Sequence, residues 1–314
     1  MDILYMVVPC YNEQEVLPET SKRLLSKLMQ HIESGSISDK SRIMFVDDGS
    51  KDTTWQMISE LHEENEHFSG VKLSRNRGHQ NAVLCGLQTA VEFADVTISL
   101  DADLQDDIYV IDQFIEKYKE GCDIVYGVRS SRKTDTAFKR STAQSFYKLL
   151  DMFGVEIVYN HADYRLMSKR AVEAMGQFKE VNLFLRGIVP LIGFKSATVE
   201  YERHERFAGE SKYPLKKMLA LAFDGITSFS IKPIRFIFGL GCAIFGIGAL
   251  MLLVFLIAAI TGSGFGISRV ILMSIWMIGG LQLIATGVIG EYIGKMYMET
   301  KARPRYIVDK LLNS

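Results

Sequence analysis

The sequence predicts an α/β protein: a mostly parallel sheet with helices on both faces, followed by an amphipathic interfacial helix and two transmembrane helices. Three observations carry that expectation. Short apolar runs alternate with amphipathic segments through the first two thirds of the chain, which is the rhythm of a parallel sheet. Polar, mostly acidic residues follow these runs. Beyond Arg235 the charges stop, because Phe236–Ser268 and Val270–Gly290 contain no Asp, Glu, Lys or Arg. Each of those runs reaches the roughly 20 residues a helix needs to cross a hydrocarbon layer.

The elements follow in order. Ile3–Val8 is an apolar strand ending at Pro9; it is too short, and lacks the basic leader, for a secretory signal. Leu17–Ile32 sets Leu24, Leu25, Leu28 and Ile32 at helical spacing. Ile43–Val46 is a second strand, stopping at Asp47. Thr53–Glu64 is an amphipathic helix through Trp55, Ile58 and Leu61, with Asp52 as its capping residue. Val71–Leu73 is a third strand, Gly78–Phe93 a helix, and Val96–Leu100 a fourth strand ending at Asp101. Ile108–Lys119 and Ile124–Tyr126 complete the alternation. Pro214–Phe229 repeats Leu215, Met218, Leu219, Ala222 and Phe223 at helical spacing with Lys216 and Lys217 off that face, as in a helix lying on a membrane surface. Cations flank the uncharged runs, and the positive-inside rule then places both termini in the cytoplasm.

Composition narrows the function classes. The 36 cations and 37 anions leave a net charge of −1, which excludes a basic nucleic-acid coat, so no nucleic-acid partner is expected. An apolar fraction of 48% excludes global disorder. The positive mean hydropathy of +0.09 then reads as an average over two unlike parts. The four cysteines have no paired or metal-like spacing and read as free thiols.

In a parallel sheet, ligands bind outside the carboxyl ends of the strands. Those ends read Pro9-Cys10-Tyr11-Asn12-Glu13, Asp47-Asp48-Gly49-Ser50, Ser74-Arg75-Asn76-Arg77-Gly78-His79 and Asp101-Ala102-Asp103-Leu104-Gln105. The dinucleotide fingerprint G-x-G-x-x-G does not follow the first strand, and the P-loop is absent from the sequence. Asp101 and Asp103, two apart at a strand end, form a hard oxygen pair suited to Mg²⁺ or Mn²⁺ held jointly with substrate phosphates. His79 and His161 read as loop residues, with no second metal-type ligand nearby in sequence.

The segments PCYNEQE (9–15), VDDGSKD (46–52), LSRNRGHQNAVLCGL (73–87) and DADLQDD (101–107) resemble the inverting GT-A glycosyltransferases of family 2. ADYRLMSKRAV (162–172), FLRGIVPLIGF (184–194), RFAGESKYPLKKM (206–218), FDGITSFSIKP (223–233) and GEYIGKMYMETKARPRY (290–306) are similar to one subgroup, the polyprenyl-phosphate glycosyltransferases with two C-terminal transmembrane helices. The resemblance implies a GT-A nucleotide-sugar transferase domain over 1–210, on the cytoplasmic side. It further implies a juxtamembrane helix over 211–232, spans over 233–260 and 269–293 joined by an external loop over 261–268, and a cytoplasmic tail over 294–314. The location implied is a multi-pass protein of the inner or plasma membrane.

Residue roles follow by position. Pro9, Tyr11, Glu13, Val46, Asp48 and Asp101 match donor-nucleotide positions. Asp101, Asp103 and Gln105 match the metal site, and Asp163 with Asp103 the catalytic pair. The family's usual GDF is here Ala162-Asp163-Tyr164. Arg129, Arg140, Arg206 and Lys212 match cations for the acceptor and donor phosphates. The activity implied is inverting transfer of one sugar to a polyprenyl phosphate, undecaprenyl phosphate first. UDP-glucose is the first donor and UDP-N-acetylglucosamine the next. A homo-oligomer, a tetramer among the options, and a flippase partner belong to the same expectation. A processive polysaccharide synthase is the competing enzyme, but its Q-x-x-R-W motif is absent from the sequence. A non-catalytic membrane scaffold is the competing class, against which stand the intact Asp101, Asp103 and Asp163.

Overall fold

The computed structural model describes residues 1–130, 161–180, 185–202 and 267–313, with isolated helical positions between 234 and 257. Strands β1 (Leu4–Cys10), β2 (Arg42–Asp47), β3 (Phe68–Leu73) and β4 (Val96–Ser99) alternate with helices α1 (Leu17–Glu33), α2 (Thr54–Glu64) and α3 (His79–Ala90). Then come α4 (Val110–Lys119), β5 (Ile124–Arg129), β6 (His161–Ser168), α5 (Lys169–Met175), α6 (Leu185–Leu191), β7 (Ser196–Tyr201), α7 (Ile267–Lys301) and β8 (Val308–Leu312). They form one eight-stranded sheet in the order β7-β5-β6-β4-β1-β2-β3-β8.

β1 pairs in parallel with β2 and β4, β2 with β3, and β5 with β7. β6 runs antiparallel between β4 and β5, and β8 antiparallel to β3. β1 to β4 are buried on both faces, as central parallel strands with crossover helices must be, whereas the edge strand β7 is largely exposed. Along β1, Leu4, Met6 and Val8 pack toward Leu24, Leu28, Ile58 and Phe114, whereas Tyr5 and Val7 pack toward Val83, Leu87, Met175 and Ile188. Two apolar cores therefore sandwich the sheet. α3 lies close enough that a Cβ at Gly86 would meet Val7 Cγ1 at 2.4 Å and Val46 Cγ2 at 2.6 Å.

Three sequence expectations change here. First, among the described residues no helix is long and apolar enough to cross a membrane. The expected pair of transmembrane helices, and the multi-pass membrane location with cytoplasmic termini drawn from them, are corrected accordingly. That expectation counted each uncharged run, taken from the sequence alone, as a full span. The second uncharged run falls within α7. The first run, the expected loop over 261–268 up to residue 266 and the surface helix over 211–232 lie outside the described residues apart from the isolated positions, while residues 267 and 268 open α7.

Second, the expected tail over 294–314 closes the sheet. Its end is β8, which pairs Gly70 with Leu312 and Leu73 with Val308. Ser74 N–H donates to the Ile307 carbonyl at 3.0 Å, Tyr306 Oη to Gln88 Oε1 at 2.5 Å, and Arg305 to the Phe178 carbonyl. Third, β6 was not anticipated; it enters between β4 and β5 and carries Asp163 to the rim of the parallel half. Cys10, Cys85 and Cys122 are buried free thiols, and Cys242 lies outside the described residues.

Candidate active site

Because β1, β2, β3 and β4 run in one direction, their four following loops share one rim. The first two loops are cross-laced. Asn12 N–H donates to Ser50 Oγ at 2.9 Å, Lys51 N–H to Asn12 Oδ1 at 2.9 Å, and Glu13 N–H to Thr54 Oγ1 at 3.0 Å. Asn12 takes the left-handed backbone (φ 54°) that this lacing needs, a conformation asparagine tolerates better than most residues. Tyr11 and Glu13 are half-buried on this rim. Pro9 lies directly across from Val46 in the β1–β2 ladder. The Val46 side chain itself belongs to the core beneath α3.

Asp48 anchors the third loop. Its Oδ1 accepts from Arg77 N–H at 2.7 Å and its Oδ2 from Gly78 N–H at 2.9 Å. Burial pushes this carboxyl up, and the two amides partly offset that. Gly49 makes the approach possible, since a Cβ there would lie 2.6 Å from Asn76 N and 2.7 Å from the Arg75 carbonyl carbon, at a φ of +69°. Asp47 is fully buried; its Oδ1 accepts from Ser50 N–H at 3.1 Å. Asp52, one position before the N-cap Thr53 of α2, accepts from Thr54 N–H at 3.0 Å.

The fourth loop carries the acidic pair. Asp103 Oδ1 accepts from Gln105 N–H at 3.2 Å, an Asx-type turn that puts Leu104 in the left-handed region (φ 55°). Thr20 Oγ1 donates to the Ala102 carbonyl at 2.7 Å and ties the turn to α1. Asp101, Asp103 and Gln105 are thus held within one turn, all half-buried. Burial, and the nearby carboxylates of Asp106, Asp103 and Asp163 against the pull of His79, push Asp101 up to about 6.

β6 brings Asp163 beside this pair. Ser99 Oγ donates to the Asp163 carbonyl at 2.6 Å, fixing the backbone. Asp163 Oδ1 accepts from Arg165 Nη2 at 2.6 Å and Arg186 Nε at 3.3 Å, and Oδ2 from Arg186 Nη2 at 3.1 Å. Burial opposes ionisation of Asp163, but Arg186, Arg165 and His79 outweigh it and hold the carboxyl well below the usual range. His79, the first residue of α3, places Nε2 3.5 Å from Asp101 Oδ1 and 3.8 Å from Asp163 Oδ2. It therefore links two carboxylates that the sequence reading kept apart.

Arg129 is on the same half of the sheet, turned toward protein. Its Nη2 lies 3.5 Å from Asp106 Oδ1 and its Nε donates to Tyr201 Oη at 3.4 Å, while Tyr201 Oη donates to Asp106 at 2.5 Å. Burial alone would lower this guanidinium; Asp106 and Tyr201 reverse that and raise it. Arg140, Arg206 and Lys212 lie outside the described residues. Sequence reasoning missed His79, Arg186, Asp106 and Tyr201 as members of the site. Arg186 had a signal, its place in the FLRG segment, but nothing local showed that α6 returns to Asp163.

Two carboxylates and an amide oxygen in one turn, beside a caged carboxylate, can serve anionic phosphate chemistry at a strand edge. Among the described residues no group of three or more His, Cys, Asp or Glu is placed to hold a metal by itself. A cation here would therefore share two carboxylates with ligand oxygens.

Known proteins resemble this chain along nearly its whole length. Over 307 residues the chain is 53% identical to the uncharacterized glycosyltransferase YkoT of Bacillus subtilis, covering 98% of this chain and 91% of that protein. It is 39% identical to the prophage bactoprenol glucosyl transferase homolog of Escherichia coli, covering 98% of both. Among solved structures, the mannosyltransferase PcManGT from Pyrobaculum calidifontis aligns with a TM-score of 0.44 at 16% identity, covering 96% of this chain and 86% of that one. The family model for glycosyl transferase family 2 matches residues 5–176, and the chain belongs to that family.

Proposed function

We propose that the protein transfers a single sugar from a nucleotide-sugar donor to a polyprenyl phosphate with inversion at C1, UDP-glucose being the first donor and UDP-N-acetylglucosamine the next. The observation that carries this reading is the 39% identity, along essentially the whole chain, to proteins named as bactoprenol glucosyl transferases. The cross-laced rim formed by residues 9–13 and 46–50 is the surface offered to the nucleoside, with Tyr11 and Glu13 its half-buried polar members and Asp48 buried beneath, holding the third loop in place.

The acidic turn fits Mg²⁺ or Mn²⁺. Its donors are hard oxygens, and the burial and carboxylate crowding that raise Asp101 are what a divalent cation offsets. Asp101, Asp103 and Gln105 would hold it. When bound, such an ion neutralises charge on a leaving diphosphate.

The remaining chemistry falls to the chain. The nucleophile is an anionic phosphate oxygen, which attacks C1 as the C1–oxygen bond to the diphosphate breaks and the diphosphate leaves with that electron pair. No proton has to move. Asp163 suits this step, since two guanidiniums keep it ionised and leave it no role as a proton acceptor near neutral pH. Its work is to hold charge and direction. Arg129 supports the Asp106 end of the acidic loop, while Arg140, Arg206 and Lys212 enter as phosphate-binding cations on the resemblance alone. A homo-oligomer and a flippase that carries the product onward rest on the same resemblance.

The test is incubation of purified protein with undecaprenyl phosphate in detergent, each common nucleotide sugar, and Mg²⁺ or Mn²⁺, followed by mass spectrometry of the lipid extract. One added hexose is the expected product. A ladder of sugars would identify a processive synthase, and no lipid product from any donor would overturn the reading.

A further inference from the structure

We infer that Arg186 is the residue that receives the attacking phosphate, with Asp163 and the buried Arg165 as the positioning groups that aim it. The inference rests on the phosphate-acceptor reading above and deepens it.

The Arg165–Asp163–Arg186 cluster carries two guanidiniums against one carboxylate, so one positive charge is left over. The two arginines are placed very differently. Arg165 has 1% of its side chain exposed and lies within the sheet opposite Ser99 and Tyr126. It has no route to a ligand. Arg186 stands at the start of α6 with 30% of its side chain exposed. It is the member of the cluster that meets solvent.

The two-point grip of Asp163 on Nε and Nη2 fixes the plane of the Arg186 guanidinium. An arginine so held offers a planar donor fork, the geometry that matches phosphate oxygens. The location is equally specific. Through His79 Nε2, Asp163 is linked to Asp101 and hence to the turn that would carry the donor diphosphate. A phosphate seated on Arg186 lies beside that turn, where in-line attack on the sugar must start.

The surplus charge also accounts for the buried arginine. With Asp163 and Arg186 alone, the pair would be neutral and would attract an anion weakly. Arg165 from beneath restores a net cation while leaving the outer guanidinium in place.

The experiment measures transfer to undecaprenyl phosphate and, separately, binding of UDP with Mn²⁺ by calorimetry, for wild type, Arg186→Met, Arg186→Lys and Asp163→Asn. For Arg186→Met, the expected result is an acceptor KM raised about 10- to 100-fold with a lower kcat, and UDP affinity within about twofold of wild type. Arg186→Lys recovers part of the charge but not the fork and falls between. Adding Asp163→Asn to Arg186→Met should cost little more than Arg186→Met alone, because the two act as a unit. An unchanged acceptor KM in Arg186→Met, or an equal loss of UDP binding, overturns the inference. Absence of lipid product with the wild type instead overturns the phosphate-acceptor reading, so the two failures are told apart.

Discussion

The two halves of the sheet solve the same problem by different means. On the parallel half, β1 to β4, rim carboxylates are held by main-chain amides: Asp48 by Arg77 and Gly78, Asp47 by Ser50. On the side faced by β5, β6 and β7, carboxylates are held by guanidiniums and a phenol: Asp163 by the buried Arg165 and the half-buried Arg186, and Asp106 of the acidic loop by Arg129 and Tyr201. Amides fix position without adding net charge, which suits a surface shaped for a nucleoside. Guanidiniums fix position and also set the local potential, which suits a region where two phosphate groups must approach each other.

The comparison is tested most severely at its seam. Asp103→Asn removes one negative charge from the acidic turn but retains its shape. It should lower kcat by about 10³-fold or more, with little change in melting temperature. Chelation of divalent cations should reproduce that loss in the wild type, and added Mn²⁺ should reverse it. Turnover close to wild type in Asp103→Asn would remove the acidic turn from the mechanism.

The next effect is on stability, and it separates the halves directly. Arg165→Met leaves the buried Asp163 with a partner lost and should destabilise the fold by about 3 kcal/mol, read from urea midpoints. Two nitrogens of Arg165, Nε and Nη1, have no hydrogen-bond partner among the described residues, so this guanidinium is kept for charge more than for bonding. Asp163→Asn combined with Arg165→Met should recover part of the loss, because the unpaired charge goes with it. On the amide-held half, Gly49→Ala should cost about 2 kcal/mol, since its Cβ collides with the Arg75–Asn76 backbone. It should also weaken UDP binding by displacing the loop that Asp48 anchors.

The same contrast explains what was legible in the sequence. The amide-held half is local: each strand end and its loop form one contiguous segment, and the apolar periodicity that marks the strand also marks the rim. β1 to β4, the loops at 9–13 and 46–50, and the acidic turn could be read for that reason. The charge-held half is assembled from distance. Asp163 meets Arg186 only because α6 returns to β6, and Arg129 meets Asp106 only because β7 brings Tyr201 alongside. No spacing rule reports such returns. β8 is the extreme case, pairing residue 71 with residue 311. The uncharged runs are where the sequence expectation and the structure part: among the described residues no helix is long and apolar enough to cross a membrane.

The smallest expected effect asks whether burial, rather than charge alone, gives the second half its character. Asp123, at the start of β5, accepts from Ser168 Oγ at 2.9 Å and is paired with Arg170, whose side chain is 66% exposed. It is an ion pair of the same half-sheet, but open to water. Its hydrogen bonds from Arg170, and then Ser168, hold its carboxyl below the usual range despite burial. A depressed folded value means that the pair stabilises the fold above the ordinary carboxylate range and loses that contribution as pH falls through the folded value. Solvent screening on the arginine side keeps the amount small. Asp123→Asn should therefore lower the melting temperature by no more than about 2 °C at pH 7, and the gap should close as pH falls through the depressed folded value. A gap that persists in acid would mean that the Asp123 oxygens matter as hydrogen-bond acceptors for Ser168. A loss at pH 7 as large as that of Arg165→Met would mean that burial is not what distinguishes the caged Asp163.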